Sequence, residues 1–287
     1  MQDHLRNVVH YYTEAGPDYS MWSKRFNMHF GFYRRGMNPF SLEGMLDRMN
    51  HETLSLLRLD PGSPQHVLDM GCGLGATARY AAAIMPNVRV HGITIVPWQA
   101  HRAVEMNRQV PSEGRVSIVT ADYTATPFAE NSFDGVYALE SSCYAPGHAK
   151  EPLVREMHRV LKPGRRFVVA DAFLKTTRRM GRFTRTCYRA LCETWALETL
   201  GEIQAFTRCL ECTGFRDIRV VNISRNVTPS VLFVPYTVAR FLGKELVVGR
   251  SRLHSKRWGN MMAGLLLIAF TLDRTRSGYF MVSGAKG

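Results

Sequence analysis

One short segment of the sequence carries an acid followed by three glycines at alternate positions. Asp69 precedes Gly71, Gly73 and Gly75, and the apolar residues before the acid predict a buried strand. Glycine tolerates positive φ angles and has no Cβ to keep a ligand away from the backbone. A phosphate-binding loop has no need of a carboxylate in front of it, whereas a cationic cofactor tolerates one. The segment therefore predicts a turn that binds a nucleotide-like cofactor without phosphate groups.

The elements around this turn predict an α/β fold. A strand at Val67–Asp69 leads through the glycines into an alanine-rich helix at Ala76–Ile84. Further strands and helices alternate, as right-handed crossovers in a parallel sheet require. The other predicted strands are Val88–Thr94, Val116–Thr120, Phe133–Leu139, Arg166–Ala170, Phe215–Ile223 and Ser277–Gly284, and the other helices of this region are Trp98–Arg108, Glu151–Leu161 and Glu202–Cys212. A ligand of such a sheet lies beyond the carboxyl ends of its strands.

Three regions follow from this pattern. Residues 1–60 show no strand alternation and are dense in aromatic side chains, which predicts a helical N-terminal segment that acts as a lid. Residues 61–172 form the cofactor-binding core. Residues 173–287 combine a helical cap with the last strands of the sheet.

The glycine turn resembles motif I of class I S-adenosylmethionine (SAM) methyltransferases. The segments Val136–Pro146 and Val160–Gly164, together with the N-terminal aromatics, resemble sterol C24-methyltransferases over roughly residues 8–170. Relatives of this kind include bacterial enzymes that methylate isoprenoid chains or prenyl diphosphates. The resemblance implies a Rossmann-like, mostly parallel sheet of seven strands, SAM as the cofactor and methyl transfer to an alkene carbon of an isoprenoid.

The resemblance also assigns roles to residues that directly follow strands. The carboxylate of Asp69 is expected near the methionine ammonium, and Asp122 near the adenine. The ribose-binding acid of most members is missing after the second strand, where Thr94 and Gln99 stand instead, and Gly75 fits close helix–strand packing equally well. The predicted cofactor-binding residues are Asp69, Gly71, Cys72, Gly73, Gly75, Thr94, Gln99, Asp122 and Tyr123.

Glu140, which follows the fourth predicted strand, is the candidate catalytic base. An alkene that attacks the SAM methyl group becomes a carbocation, which needs a π-rich wall and a group that takes one proton. Tyr144 and His148 are alternative bases, and a structural role for Glu140 stays open. The expected substrate-binding residues are Tyr12, Tyr19, Trp22, Phe32, Arg178, Arg182, Arg185 and Trp195. The arginines predict either a diphosphate site or a solvated helix face.

The composition limits the class of partner. Lys and Arg number 37 against 24 Asp and Glu, and this formal charge of +13 fits a solvated basic surface or an anionic substrate. No basic run is interleaved with stacking aromatics, so we expect no nucleic-acid partner. The six cysteines form no metal-type pattern, so no zinc site is expected. Mg²⁺ is expected only through a diphosphate substrate. The sequence shows no signal peptide, and its longest apolar run, Met261–Leu272, is too short to span a bilayer. We therefore expect a cytoplasmic protein, for which a homo-oligomer stays open.

Two other functions stay open on the sequence alone. One is a different SAM reaction: cyclopropane synthesis, or N- or O-methylation of a specialised metabolite with His29, His148 or His158 as base. The other is a protein with the same fold that does not methylate, such as a pericyclase. The intact cofactor turn argues against the latter.

Overall fold

A mixed sheet forms the centre of the computed structural model, which describes residues 3–109, 114–177, 180–248, 255–271 and 274–287. Its strands are β1 (Gln65–Met70), β2 (Val88–Thr94), β3 (Val116–Thr120), β4 (Phe133–Leu139), β5 (Leu161–Leu174), β6 (Gly201–Glu202), β7 (Phe215–Asn222) and β8 (Ser277–Lys286). The order is β3-β2-β1-β4-β5-β8-β7, and the short β6 pairs with β5. The pairs among β1 to β6 are parallel, whereas β8 runs antiparallel to β5 and β7. This is the Rossmann-like methyltransferase sheet that the sequence predicts.

Helices cover both faces of this sheet. They are α1 (Asp3–Ala15), α2 (Leu42–Ser55), α3 (Ala76–Ile84), α4 (Pro97–Asn107), α5 (Glu151–Val160), α6 (Arg182–Thr194), α7 (Ile203–Thr213), α8 (Ser224–Val231), α9 (Val234–Val248) and α10 (Ser255–Thr271). Successive side chains of a strand point to opposite faces. Val67 of β1 accordingly joins the apolar cluster that contains α2 and α3 residues, and Leu68 joins the cluster that contains α5 and α7 residues.

A third apolar cluster lies beyond the carboxyl end of β5. Leu191 of α6 and Leu267 of α10 pack there with Leu174, the last residue of β5. Residues 3–33, which we call the N-terminal lid, extend over the same edge of the sheet. The Gly31 N–H donates to the Ser230 hydroxyl of α8 at 2.9 Å, which joins the lid to the helical cap.

The predicted bounds of β2, β3, β4 and α3 agree with the structure. The sequence predicted that Lys162, Pro163 and Gly164 would separate a helix from a strand. These residues instead lie within β5. Gly164 has a φ of 73°, so the strand turns there without steric strain. Residues 174–200, at the start of the predicted helical cap, were expected to be helical. Among the described residues of this range only α6 is a helix. The apolar run of Met261–Leu272 falls in α10 up to residue 271, and Leu272 lies outside the described residues.

No helix among the described residues is long and apolar enough to cross a membrane. The division of the chain at residues 60 and 172 stays a prediction.

Candidate active site

The glycine turn joins β1 to α3 at the carboxyl edge of the sheet. Gly71 and Gly73 adopt φ angles of 99° and 52°, in the region that favours glycine. A Cβ on Gly71 would lie only 2.3 Å from the Cβ of Ser141. Gly71 and Cys72 both donate their N–H groups to the Ile93 carbonyl of β2, at 3.0 and 2.8 Å. The turn is therefore anchored on β2 and packs closely against the loop that follows β4.

A cavity opens over this turn, and we call it the cofactor cavity. Eight of the nine predicted cofactor residues line it: Asp69, Gly71, Cys72, Gly73, Thr94, Gln99, Asp122 and Tyr123. Gly75 does not line it. Gly75 precedes α3 with a φ of 73°, and a Cβ there would meet Arg79, Ile118 and Ala103, which supports its packing role.

Hydrogen bonds fix the polar groups of the cofactor cavity. The Thr94 hydroxyl donates to the Gln99 side-chain carbonyl at 2.6 Å. This bond holds together the two residues that stand in place of the ribose-binding acid. Asp122 Oδ1 accepts bonds from the backbone N–H and hydroxyl of Thr124, at 2.8 and 2.7 Å. The Tyr123 hydroxyl donates to the Ser141 carbonyl at 2.8 Å. These side chains are preorganised by the protein itself.

The charges of the cofactor cavity fit a cationic ligand. Burial raises the pKa of Asp69 to about 7, although the Tyr137 hydroxyl donates to its Oδ2 at 2.7 Å and opposes that rise. A positively charged ligand beside this carboxyl group would favour its ionised form. No lysine or arginine is among the described residues that line the cavity, so it offers no cation for a phosphate. The residues present therefore fit SAM, whose ammonium and sulfonium groups carry positive charge, better than a dinucleotide.

The N-terminal lid closes the cofactor cavity from above. His4, Tyr12, Phe26, Met28 and His29 all line it, and sequence reasoning did not assign any of them to the cofactor. The Sδ atom of Met28 lies 3.2 Å from the position that a Cβ on Gly73 would take. The lid therefore covers the glycine turn directly.

A buried polar network attaches this part of the lid to the core. The Asn50 amide of α2 donates to Asn27 Oδ1 at 2.9 Å and accepts from the Thr77 hydroxyl of α3 at 2.8 Å. An imidazole nitrogen of His29 lies 3.2 Å from the same Asn27 oxygen. Since buried polar groups are costly unless they are paired, this network specifies one position for the lid.

A second and larger cavity, of about 730 Å³, adjoins the first, and we call it the acceptor cavity. The predicted substrate residues Tyr12, Tyr19, Trp22 and Trp195 line it. Further aromatic lining comes from Phe30, Tyr144, Phe270 and Tyr279. The described residues that line both cavities are Tyr12, Met28, His29, Glu140 and Tyr144. These five residues mark the place where a methyl group would pass from cofactor to acceptor.

Glu140 occupies this junction with an unusual backbone. Its φ is 49°, a conformation that costs energy for a residue with a side chain and that is frequent at functional sites. Its N–H donates to the Ala170 carbonyl of β5 at 2.9 Å. Its Oε1 accepts bonds from the Phe30 N–H at 2.6 Å and the Tyr279 hydroxyl at 2.7 Å. Burial raises the pKa of Glu140 to about 8 in spite of these two donors.

The other candidate bases differ in position. Tyr144 lines both cavities, and its hydroxyl lies 2.8 Å from that of Tyr12, but burial raises its pKa well above the ordinary value. The Tyr144 hydroxyl group therefore stays protonated near neutral pH, which disfavours it as a base. His148 is exposed and lines neither cavity, and its Nδ1 lies 3.2 Å from the Leu200 carbonyl. The structure does not bring it to the site.

His29 reaches the junction but is not a free base. Its Nδ1 lies 2.9 Å from the Phe30 carbonyl and its Nε2 lies 3.2 Å from Asn27 Oδ1, so both ring nitrogens have polar neighbours. Burial lowers the pKa of His29 to about 4, and the ring is therefore neutral at pH 7.

Several predicted substrate residues lie elsewhere. Phe32 packs against the sheet cluster that contains α2 and α3, and it lines neither cavity. Arg182 and Arg185 are exposed on α6 and outside both cavities, because the helix turns Cys187 and Leu191 inwards. Arg178 lies outside the described residues. The cations that do line the acceptor cavity are Lys175, Arg225 and Arg274, which the sequence pattern did not single out.

Comparisons with known proteins agree with this site. A family model described as a methyltransferase domain matches residues 67–164, which include the glycine turn and Glu140. An O-methyltransferase of Pyrenophora dematioidea is 31% identical over 203 residues, which cover 70% of this chain and 73% of that protein. The chain belongs to the class I SAM-dependent methyltransferases.

Other similar proteins differ in the atom that they methylate. A cycloartenol-C-24-methyltransferase of Arabidopsis thaliana is 37% identical over 172 residues, 58% of this chain, but this chain covers only 48% of that protein. The geranyl diphosphate C-methyltransferase of Streptomyces coelicolor, solved with Mg²⁺, geranyl diphosphate and S-adenosyl-L-homocysteine, superposes with a TM-score of 0.73. That similarity covers 100% of this chain and 98% of that one at 13% identity, so it shows a shared fold alone.

Proposed function

We propose that this methyltransferase adds a methyl group to an alkene carbon of a large isoprenoid acceptor and that Glu140 takes up the proton released. One observation carries the proposal: the carboxyl group of Glu140 lies where the cofactor and acceptor cavities meet. SAM, when bound, supplies a methyl carbon that gains a bond to the alkene π electrons as its bond to sulfur breaks. The acceptor then carries the positive charge.

The residues around the junction suit such a charge. Tyr12, Tyr19, Trp22 and Tyr144 offer aromatic faces, which attract cations in sites without water. A carbon–hydrogen bond next to the cationic carbon then breaks, its electrons restore an alkene, and the proton passes to the Glu140 carboxylate. A cation beside Glu140 lowers the pKa of its carboxyl group, so the bound cofactor itself would favour the ionised, proton-accepting form.

An isoprenoid fits the acceptor cavity on grounds of size and polarity. Its volume of about 730 Å³ lies within the range of sites for ligands of drug size or larger, and its walls include many aromatic and aliphatic side chains. Sterols and prenyl diphosphates are the acceptors of the similar C-methyltransferases named above. A prenyl diphosphate is the acceptor that we favour, and any Mg²⁺ would arrive with its diphosphate.

The test is methyl transfer by the purified protein with SAM and a panel of prenyl diphosphates and sterols, read by mass spectrometry. We expect a gain of one methyl group on one class of acceptor. Glu140→Gln keeps the size of the side chain but removes its basicity, and should lower the rate by about two orders of magnitude while S-adenosylhomocysteine binding is retained.

The matched control is Glu156→Gln. Glu156 is a buried carboxylate that accepts bonds from Thr126 and Arg159 and lines neither cavity. Full turnover by Glu140→Gln, or an equal loss in both variants, would show that Glu140 is a structural residue.

O-methylation is the second candidate, and the 31% identity to an O-methyltransferase favours it. Glu140 would then accept the proton of an acceptor hydroxyl group, since burial lowers the pKa of His29 to about 4 and makes it a weak base. Proton NMR of the product distinguishes the two reactions, because a methyl on oxygen resonates at lower field than a methyl on carbon.

A further inference from the structure

Charged groups of both signs line the acceptor cavity. Among the described residues its carboxyl groups belong to Asp18, Glu140 and Asp171; Glu140 also lines the cofactor cavity, and Asp171 accepts bonds from the Ser142 hydroxyl at 2.7 Å and the Cys143 N–H at 2.9 Å. Lys175, Arg225 and Arg274 line the same cavity, and we call these three residues the distal cation cluster.

Three chain segments bring the distal cation cluster together. Lys175 directly follows β5, and its Nζ donates to the Arg274 carbonyl at 2.5 Å. Arg225 is the second residue of α8. The two regions converge at Gly278, where a Cβ would lie 3.0 Å from Lys175 Cε and 3.1 Å from the Ser224 hydroxyl. The absence of a side chain at Gly278 thus leaves room beside the cluster.

The cluster has no acidic partner within the protein as far as the structure describes it. None of the ion pairs between described residues includes Lys175, Arg225 or Arg274. By contrast, Lys162 and Arg165 share the carboxylate of Asp134 at 2.8 and 3.5 Å. Three cations that line one cavity and take part in no ion pair between described residues attract an anion of the ligand.

The backbone separates this cluster from the reacting end. The Glu140 N–H bonds to the Ala170 carbonyl, and Lys175 lies five residues further along the chain. A strand rises by about 3.3 Å per residue, so the Cα atoms of Ala170 and Lys175 are roughly 16 Å apart. The Lys175 Nζ is bonded to the 274–276 turn, beyond the end of the strand.

We infer that the distal cation cluster binds an anionic group of the acceptor, a phosphate or a carboxylate, at the end remote from the methylated carbon. This inference rests on the proposed function for the position of that carbon. An anion beside the methylated carbon would instead face the carboxyl groups of Glu140 and Asp171 and be repelled. The acceptor is therefore an extended molecule with an apolar, reactive end and an anionic far end.

Equilibrium binding tests the inference without methyl transfer. Trp22 and Trp195 line the cavity, so tryptophan fluorescence reports occupancy in the presence of S-adenosylhomocysteine. The probes are farnesyl diphosphate, farnesoate and farnesol, which share one tail and differ in the head group. We expect at least one anion to bind tenfold or more tightly than farnesol, and which anion does so distinguishes a phosphate from a carboxylate site.

The variant that removes two of the three cations of the cluster is Lys175→Met with Arg225→Met. It should reduce the preference for the anion to less than twofold and leave farnesol and S-adenosylhomocysteine binding unchanged. The matched control is Arg182→Ala with Arg185→Ala, which removes the same charge from the exposed side of α6. The control should keep the preference, and equal losses in both double variants would overturn the inference.

Two further results would overturn it. Equal affinity of the wild-type protein for all three probes would remove the anion site, while the Glu140→Gln experiment would still decide the proposed methylation. A crystal structure with farnesyl diphosphate should show the phosphorus atoms at the distal cation cluster and away from the Glu140 carboxyl group. Phosphorus atoms beside Glu140 would contradict the remote position.

Discussion

The hydroxyl group of Tyr279 is expected to control the ionisation of Glu140, and Tyr279→Phe measures that control. The hydroxyl donates to Glu140 Oε1 at 2.7 Å, so it stabilises the ionised carboxylate and holds the pKa below the value that burial alone would give. Phenylalanine keeps the ring and removes this donor. The carboxyl group should therefore keep its proton to higher pH in the variant.

The size of the effect follows from the type of bond. A hydrogen bond to a charged group contributes about 1.5–3 kcal/mol, and about 1.4 kcal/mol corresponds to one pH unit. From the wild-type pKa of about 8, the titration midpoint of Glu140 should rise by roughly one to two pH units. At pH 8 the ionised fraction would then fall from about one half to less than about a tenth.

The assay is carbon NMR of protein labelled at the glutamate carboxyl groups, titrated between pH 6 and 10. The resonance that disappears in Glu140→Gln identifies the residue. Tyr137→Phe is the matched control, because that hydroxyl donates to Asp69 rather than to Glu140, and it should leave the Glu140 midpoint in place. A midpoint that stays constant or falls in Tyr279→Phe would refute the proposed control of ionisation.

Two further substitutions test the supports of the site. Gly71→Ala places a Cβ 2.3 Å from that of Ser141 at a φ of 99°, and should weaken S-adenosylhomocysteine binding at least tenfold by calorimetry. Gly243→Ala places a Cβ that meets no atom within 4 Å, so this variant should bind S-adenosylhomocysteine normally. Normal binding by both variants would contradict the steric argument for Gly71. Lys150→Met orphans three backbone carbonyls that the buried ammonium contacts, and should cost more than about 2 kcal/mol in urea unfolding. Lys162→Met, at a half-exposed ion pair, should cost less than about 1 kcal/mol, and equal losses would contradict the reasoning.

The cofactor half of the site was predictable because its signals are local. β1 and the glycine turn are adjacent in sequence, Thr94 is the last residue of β2, and Asp122 lies two residues beyond β3. In a parallel sheet every strand end arrives at the same edge, so correct strands suffice to collect these residues. Glu140 was found for the same reason, since it follows β4 by one position.

The acceptor half was less predictable because its walls come from distant segments. Met28 covers the glycine turn through a lid position that a buried network with Asn50 and Thr77 sets, and no local pattern encodes that contact. The arginines of α6 were conspicuous in the sequence, yet the packing of Leu191 turns Arg182 and Arg185 outwards.

The distal cation cluster shows the same limitation. Lys175 lies just beyond the end of β5, Arg225 at the start of α8 and Arg274 in the turn before β8, and the antiparallel return of β8 beside β5 brings them together. A cluster of this kind leaves no run of charges in the sequence.

The wall shared by the two cavities couples the release of the spent cofactor to the release of the product. Tyr12, Met28 and His29 belong to the N-terminal lid and line both cavities, so the lid forms part of the wall that the two cavities share. A single displacement of the lid would expose spent cofactor and methylated product to solvent at once. The rate at which the N-terminal lid is displaced would then set a common upper limit on the release of the spent cofactor and of the methylated product.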